Sequence, residues 1–247
     1  MIREGRRGGV GGIGTKSSAT DMVTEFDHAA EHAIVRRIRD ARPRDGILGE
    51  EGTDTDGTSG VRWLIDPIDG TTNFLYGMAG YAVSVAAADE RGAIAGAVYL
   101  PATDELFTAI RGGGAACNGE PISPSPNRLL SGALVGTGFS YLPERRAAQA
   151  ARIAAIIADI RDIRRMGAAA ADLCYVACGR LDAYFEQYLS PWDMAAGELI
   201  AREAGCRVGD FAGGPARPVE LLAATPELFE PMIELLARPI GDHARNT

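Results

Sequence analysis

The sequence predicts an α/β or α+β layered fold with mixed and antiparallel sheets. Three observations carry this. Strand-like and helix-like segments alternate along the whole chain, the middle portion reads as an antiparallel meander, and the second half turns to Ala- and Ile-rich helical spacing. At 247 residues, with 46% apolar and 23% charged residues, the chain can bury a sizeable core.

Residues 1–15 are Gly- and Arg-rich and are predicted to be flexible, because such a segment buries too little to stay ordered. Its glycines do not have the spacing of a phosphate-binding loop, despite the Lys16-Ser17 that follows. A helix is predicted from Thr24, which serves as N-cap with Asp27 three residues on. Phe26, Ala30, Ala33, Ile34 and Ile38 mark its apolar face, and it must stop before Pro43. Residues 47–51 read as a short strand ending in Glu50 and Glu51, followed by a loop over 52–60. Strands are predicted at 81–88, 93–100 and 106–110, separated by the turn residues of 89–92 and 101–104. Gly112-Gly113-Gly114 and Asn118-Gly119 are hairpin signals. Further strands are expected at 134–136, 182–185 and 219–223, and helices at 144–160, 166–178, 192–204 and 227–236. No linker is evident, so residues 16–247 are read as one domain with two sub-layers.

Bulk properties exclude several functions. A formal net charge of −8 disfavours nucleic-acid binding, which needs a basic face. No run approaches the ~18 apolar residues of a membrane span, and the N-terminus carries no apolar signal segment, which favours a cytoplasmic protein. Cys117, Cys174, Cys178 and Cys206 are too few and too scattered for a disulfide framework. Cys174 and Cys178 read as small buried hydrophobes, and with three histidines and no Cys-x-x-Cys a zinc site is discounted.

The chemistry is concentrated in Trp63-Leu64-Ile65-Asp66-Pro67-Ile68-Asp69-Gly70-Thr71-Thr72-Asn73. Ile65 and Ile68 are apolar, so Asp66 and Asp69 are presented from a buried strand end, across a turn restricted by Pro67. Magnesium prefers carboxylate, carbonyl and water oxygens, often completed by a substrate phosphate. The two carboxylates, with the Ile68 carbonyl between them, suit it. The same pair could instead only satisfy backbone donors in a capped turn, and the two residues alone leave that choice open. At most one of Glu50 and Glu51 can face such a site, since neighbours on a strand point to opposite faces. Asp193 opens a helix, where it could be simply a carboxylate favoured by the helix dipole. Glu186 ends a strand, and Arg161, Arg164 and Arg165 read as a solvated run or as positive potential near the substrate.

These pieces together resemble the inositol monophosphatase family. Lys16-Ser17-Ser18, Asp21, Val23-Thr24 and Asp27 look like its first motif, and Gly49-Glu50-Glu51 like its second. Residues 63–74, W-L-I-D-P-I-D-G-T-T-N-F, are similar to its most specific signature, and Trp192-Asp193-Met194-Ala195-Ala196-Gly197 to its last. The resemblance runs from Lys16 to about Gly214, and four separated motifs in the right order make it specific.

The resemblance implies an αβαβα sandwich, a homodimer, sensitivity to lithium, and two or three Mg2+ ions. It implies Glu50, Asp66, Asp69, Asp193 and the Ile68 carbonyl as metal ligands. Glu50, Thr71 and Asp69 would be catalytic. Ile68, Asp69, Gly70, Thr71, Gly167, Ala168, Ala169, Glu186 and Asp193 would contact the substrate. The expected activity is hydrolysis of inositol-1-phosphate, or a similar small polyol phosphate, by metal-activated water. Histidinol-phosphate, fructose-1,6-bisphosphate and 3′(2′),5′-bisphosphate nucleotide phosphatases are the alternatives, with a non-catalytic partner of the transcription machinery behind them. Three departures stand out. Only fifteen residues precede Lys16 where members carry a further helix, which reads as a mis-assigned start or a genuine truncation. Ala168 replaces a common Ser or Thr, and Met78-Ala79-Gly80 replaces a proline-containing turn.

Overall fold

Strand and helix periods give two large sheets and six helices among residues 14–15 and 22–239, which a computed structural model of the chain describes. In order, they are β1 (Gly14–Thr15), β2 (Met22–Val23), α1 (Glu25–Ala41), β3 (Gly46–Gly49), β4 (Asp54–Thr55), β5 (Arg62–Asp69), α2 (Thr71–Tyr76), β6 (Ala82–Asp89), β7 (Gly92–Leu100), β8 (Glu105–Ile110), β9 (Ala115–Cys117) and β10 (Glu120–Pro121). The second half contributes β11 (Leu134–Thr137), α3 (Pro143–Ile156), β12 (Asp162–Arg164), α4 (Ala169–Ala177), β13 (Ala183–Gln187), α5 (Pro191–Glu203), β14 (Arg207–Gly209), β15 (Glu220–Ala224) and α6 (Pro226–Leu236). The first fifteen residues, expected to be flexible, lie outside the described residues except Gly14–Thr15, which pair antiparallel with Met22–Val23. Lys16, Ser17, Ser18 and Asp21 of the first motif also lie outside them.

The eight-stranded sheet has the order β10-β9-β8-β7-β6-β5-β3-β4. From β5 to β10 it is the expected antiparallel meander, while β3 runs parallel to β5. The five-stranded sheet, β12-β11-β13-β15-β14, mixes parallel pairs around β11 with antiparallel pairs around β15. Apolar faces fix the stacking. Val35 and Ile38 of α1 pack on Ile47 and Ile65 of the large sheet. Helices α4 and α5 fill the space between the two sheets, through Leu173, Val176, Ile200, Val98, Phe107 and Tyr184. On the outer face of the small sheet, α3 and α6 pack through Ile156, Leu228 and Met232 against Val135 and Leu222. The result is five layers, αβαβα, held by apolar burial worth about 25 cal/mol per Å2.

Local chemistry explains the differences from expectation. The helix expected over 166–178 begins only at Ala169, because Gly167 sits at φ +94°, in the left-handed region that cannot continue a helix. The helix expected to reach residue 160 ends at Ile156, and the chain turns into β12, which has no periodic signal in three residues. Glu50 and Glu51 lie in the turn after β3 rather than on it. Cys117, Cys174, Cys178 and Cys206 are not scattered in space. They are free thiols, and all four belong to the apolar core between the two sheets. No helix among the described residues is long and apolar enough to cross a membrane.

Candidate active site

The site starts from a backbone irregularity. Asp66 pairs with Ser84 and Asp69 with Ala82, so β5 carries one residue more than β6 across this stretch. Pro67 lies inside the bulge, having no N–H to give a regular ladder. Ile65 and Ile68 are fully buried, which turns the two carboxylates toward a cavity. The Ile68 amide donates to Asp66 Oδ1 at 3.0 Å, so the capped-turn role is present as well. Asp69 Oδ2 instead accepts from the amide of Ala170, at 2.7 Å.

That second bond does a job usually done locally. Helix α4 begins at Ala169 with Ala168 as N-cap, and an alanine offers no side-chain acceptor. Asp69 supplies the missing acceptor from another part of the chain, and so docks the start of α4 at the end of β5. Asn73 reinforces the junction: its Nδ2 donates to the carbonyls of Met166, at 2.7 Å, and Gly80. Gly70, the N-cap of α2, has φ +86°. A Cβ there would lie 2.8 Å from the Gly80 oxygen and 2.9 Å from the Gly167 oxygen, so the position requires glycine. The Met78-Ala79-Gly80 segment is thus built into the packing, and Gly80 too has no room for a Cβ, which would sit 2.8 Å from the Met166 oxygen.

The other acids arrive on their own elements. Helix α1 buries Glu31, whose carboxylate accepts from the amides of Glu51 and Thr53 at 2.8 and 3.1 Å. This shapes the turn that carries Glu50 into the cavity, while Glu51 turns toward His28, 3.7 Å away. Asp193 is the third residue of α5 and accepts from the Ser190 amide at 2.7 Å in a capping box, so it is a cap and also lines the cavity. Ser84 of β6 donates to the Trp192 carbonyl at 3.2 Å, which seats that end of α5. Glu186 lies within β13, over Gly138, and accepts from the Tyr184 hydroxyl.

All the predicted site residues, namely Glu50, Asp66, Ile68, Asp69, Gly70, Thr71, Gly167, Ala168, Ala169, Glu186 and Asp193, line one cavity of about 500 Å3. Of the arginine run, Arg165 alone reaches it; Arg161 donates to the Gly132 carbonyl and Arg164 pairs with Asp162. Burial pushes the carboxyl groups of Asp66 and Asp69 well above the usual range. Glu50, Asp69 and Asp193 add to this at Asp66, and Asp193, Glu186 and Glu50 at Asp69, where the Ala170 amide works against it. Burial also raises Glu186, offset by the Tyr184 hydroxyl and by Arg165.

Among the described residues no three His, Cys, Asp or Glu side chains close to coordination geometry. The donor chemistry nevertheless fits a hard divalent cation. Buried carboxylates that repel one another, with a backbone carbonyl among them, are the oxygen set magnesium takes, and a cation relieves the cost of burying them together.

Asp27 escapes a local reading. It forms the expected capping box with Thr24, whose amide donates to Asp27 Oδ2 at 2.8 Å. Its other oxygen faces the Thr71 hydroxyl at 3.3 Å, and that hydroxyl also lies 3.0 Å from the Ile68 carbonyl. Its place in the first motif was the one available signal. Tyr141, Arg145 and Tyr188 also line the cavity, and nothing in their local sequence points to it.

A five-layered αβαβα fold with this acidic cavity defines a phosphatase architecture, and the chain belongs to the inositol monophosphatase family, whose model matches residues 2–238. It is similar to the inositol-1-monophosphatase of Rhizobium meliloti, with 42% identity over 226 residues that cover 89% of this chain and 84% of the relative. Nus factor SuhB of Vibrio cholerae is 46% identical over 202 residues, 81% of this chain and 76% of that protein. The crystal structure of extragenic suppressor protein suhB from Bartonella henselae superposes with a TM-score of 0.90 at 37% identity, covering 96% of this chain and 93% of that one.

Proposed function

We propose that the protein is a magnesium-dependent phosphomonoesterase acting on inositol-1-phosphate or a similar small polyol phosphate. One observation carries the reading: four carboxylates from three separate segments (the turn after β3, the end of β5 and the start of α5), the Gly70-Thr71 turn and Glu186 share a single cavity. Phosphate ester hydrolysis is among the slowest uncatalysed reactions, so the site must supply a large barrier reduction.

Glu50, Asp66, Asp69, Asp193 and the Ile68 carbonyl would hold the magnesium. Bound there, it would supply Lewis-acid chemistry, acidifying water and neutralising charge on the phosphate and leaving group. The chain's own groups do the rest. Gly70 and Thr71 receive the phosphate. Glu50 and Thr71 orient the attacking water and Glu50 takes its proton. Asp27 holds the Thr71 hydroxyl and can accept its proton in turn. Gly167, Ala168 and Ala169 form the wall against the substrate, and Glu186, held by Tyr184, accepts hydrogen bonds from the polyol hydroxyls.

Similarity to Nus factor SuhB of Vibrio cholerae raises a second reading, a binding role at the transcription machinery. Retention of all four carboxylates favours the enzyme. A panel of inositol-1-phosphate, histidinol phosphate and fructose-1,6-bisphosphate, assayed for phosphate release with magnesium and with added lithium, decides between them. Absence of turnover on every ester favours the binding role.

A further inference from the structure

The cavity is lined by two groups of side chains of opposite charge. Beside the carboxylates stand Arg145, from the first turn of α3, and Arg165, from the loop between β12 and α4. Neither guanidinium forms an ion pair or hydrogen bond with another described residue, although Arg165 lies near enough to Glu186 and Asp172 to offset part of the rise that burial gives both carboxyl groups. Instead, Arg145 lies over the ring of Tyr188, 4.2 Å from its centroid.

Two local rules are broken to build this arrangement. Helix α3 starts at Pro143, so Arg145 sits at the positive end of the helix, where a cation is disfavoured. Tyr188 has φ +68°. The other described non-glycine residues at positive φ are Asp104 and Asn118, types that tolerate it, whereas a bulky tyrosine there is strained. The strained backbone is held by the bond from the Tyr188 amide to the Val219 carbonyl at 3.2 Å. Costs of this kind gather at functional sites, and here both fall on one cavity wall. Stacking covers a face of the guanidinium and leaves its in-plane N–H groups free to bind an anion.

We propose that Arg145, seated on Tyr188, and Arg165 form a second anion subsite, which binds a phosphoryl or carboxylate group carried by the substrate away from the ester being cleaved. The proposal rests on the phosphatase reading and, among small polyol phosphates, favours those that carry a second anionic group. A cavity of about 500 Å3 has the size that encloses such a molecule.

The test compares mannitol 1-phosphate, mannitol 1,6-bisphosphate and gluconate 6-phosphate as substrates of the full chain in magnesium. A charged hydrogen-bonding contact predicts kcat/KM about tenfold or more higher for an ester with a second anionic group than for mannitol 1-phosphate, mainly through KM. That preference should shrink as ionic strength rises. Arg145→Gln should bring the ratio close to one, with Arg145→Lys restoring part of it. A gain with the bisphosphate alone assigns the subsite to phosphoryl groups, and a gain with both assigns it to anions in general. A wild-type ratio near one, or equal losses on all three esters in Arg145→Gln with an unchanged melting curve, overturns the subsite and leaves the phosphatase reading standing. No release from any of the three overturns that reading and the subsite with it.

Discussion

Asp69 Oδ2 accepts a 2.7 Å hydrogen bond from the amide of Ala170, 101 residues further along the chain, and so serves as the missing N-cap acceptor of α4. One carboxylate thereby joins the end of β5 to the cavity wall formed by Gly167, Ala168 and Ala169. Asp69→Asn keeps an oxygen for the Ala170 amide but loses the charge. We expect the fold to be retained and activity to fall by about 100-fold or more. Phosphate release at saturating magnesium and circular dichroism check this; near wild-type rates would sink the assignment of Asp69 as a ligand.

Thr71 and Asp27 make a second long-range pair, 3.3 Å apart. Thr71→Val keeps the shape and removes the hydroxyl. It should lower kcat about 100-fold with little change in melting temperature. Asp27→Asn should lower kcat similarly and in addition cost about 1 kcal/mol of stability, because the same carboxylate completes the cap of α1. Parallel rate and urea-unfolding measurements separate the two effects. Equal stability losses in both variants would argue against the division.

Removing the metal should expose the repulsion within the carboxylate group. At 100 times its dissociation constant, magnesium should raise the melting temperature by about 5–10 °C. In Asp66→Asn the metal-free protein should melt higher than the metal-free wild type, since one buried like charge is gone. The magnesium-induced rise should then largely disappear. Differential scanning calorimetry with and without a chelator measures both, and a metal-free variant melting below wild type would contradict the repulsion.

Glu186 is fixed by the Tyr184 hydroxyl and lies over Gly138, where a Cβ would clash with its carboxylate. Glu186→Gln should raise KM for polyol phosphates, with a loss about tenfold greater than on phenyl phosphate, which has no hydroxyls to bind. Comparable losses on both esters would remove Glu186 from substrate recognition.

The cysteines should be poorly reactive. Burial pushes Cys206 up to about 12 and Cys174 well above the ordinary thiol range. At pH 8 the thiolate fraction of Cys206 is then on the order of 10⁻⁴. A chromogenic disulfide reagent should label Cys174 and Cys206 only on unfolding, while the half-buried Cys117 and Cys178 react slowly in the native protein. Peptide mapping after brief labelling reads this directly. Rapid native labelling of Cys206 would contradict its burial.

Local rules made much of the fold legible. The capping box at Thr24 and Asp27, Pro43 beyond the first helix, and the turn residues of the meander each act within a few residues, and the corresponding elements lie where expected. Helix α2 was not legible, since six residues are too few to show a helical period. The start of α4 was misplaced because Met166 joins the Ala-rich run across Gly167, and the positive φ that breaks it is a property of packing against Gly70 and Asn73.

By itself, the sequence determined which groups could do the chemistry. Acids stand where apolar neighbours force them inward, and a proline stands where a regular ladder has to break. Tertiary structure decided which of those groups meet. Asp69 reaches Ala170, Thr71 reaches Asp27, and Arg145 settles on Tyr188, all through contacts between segments far apart in the chain. The physical reason is range. Propensity, capping and periodicity act over one or two helical turns, whereas a cavity is set by how layers stack when their apolar faces are buried together.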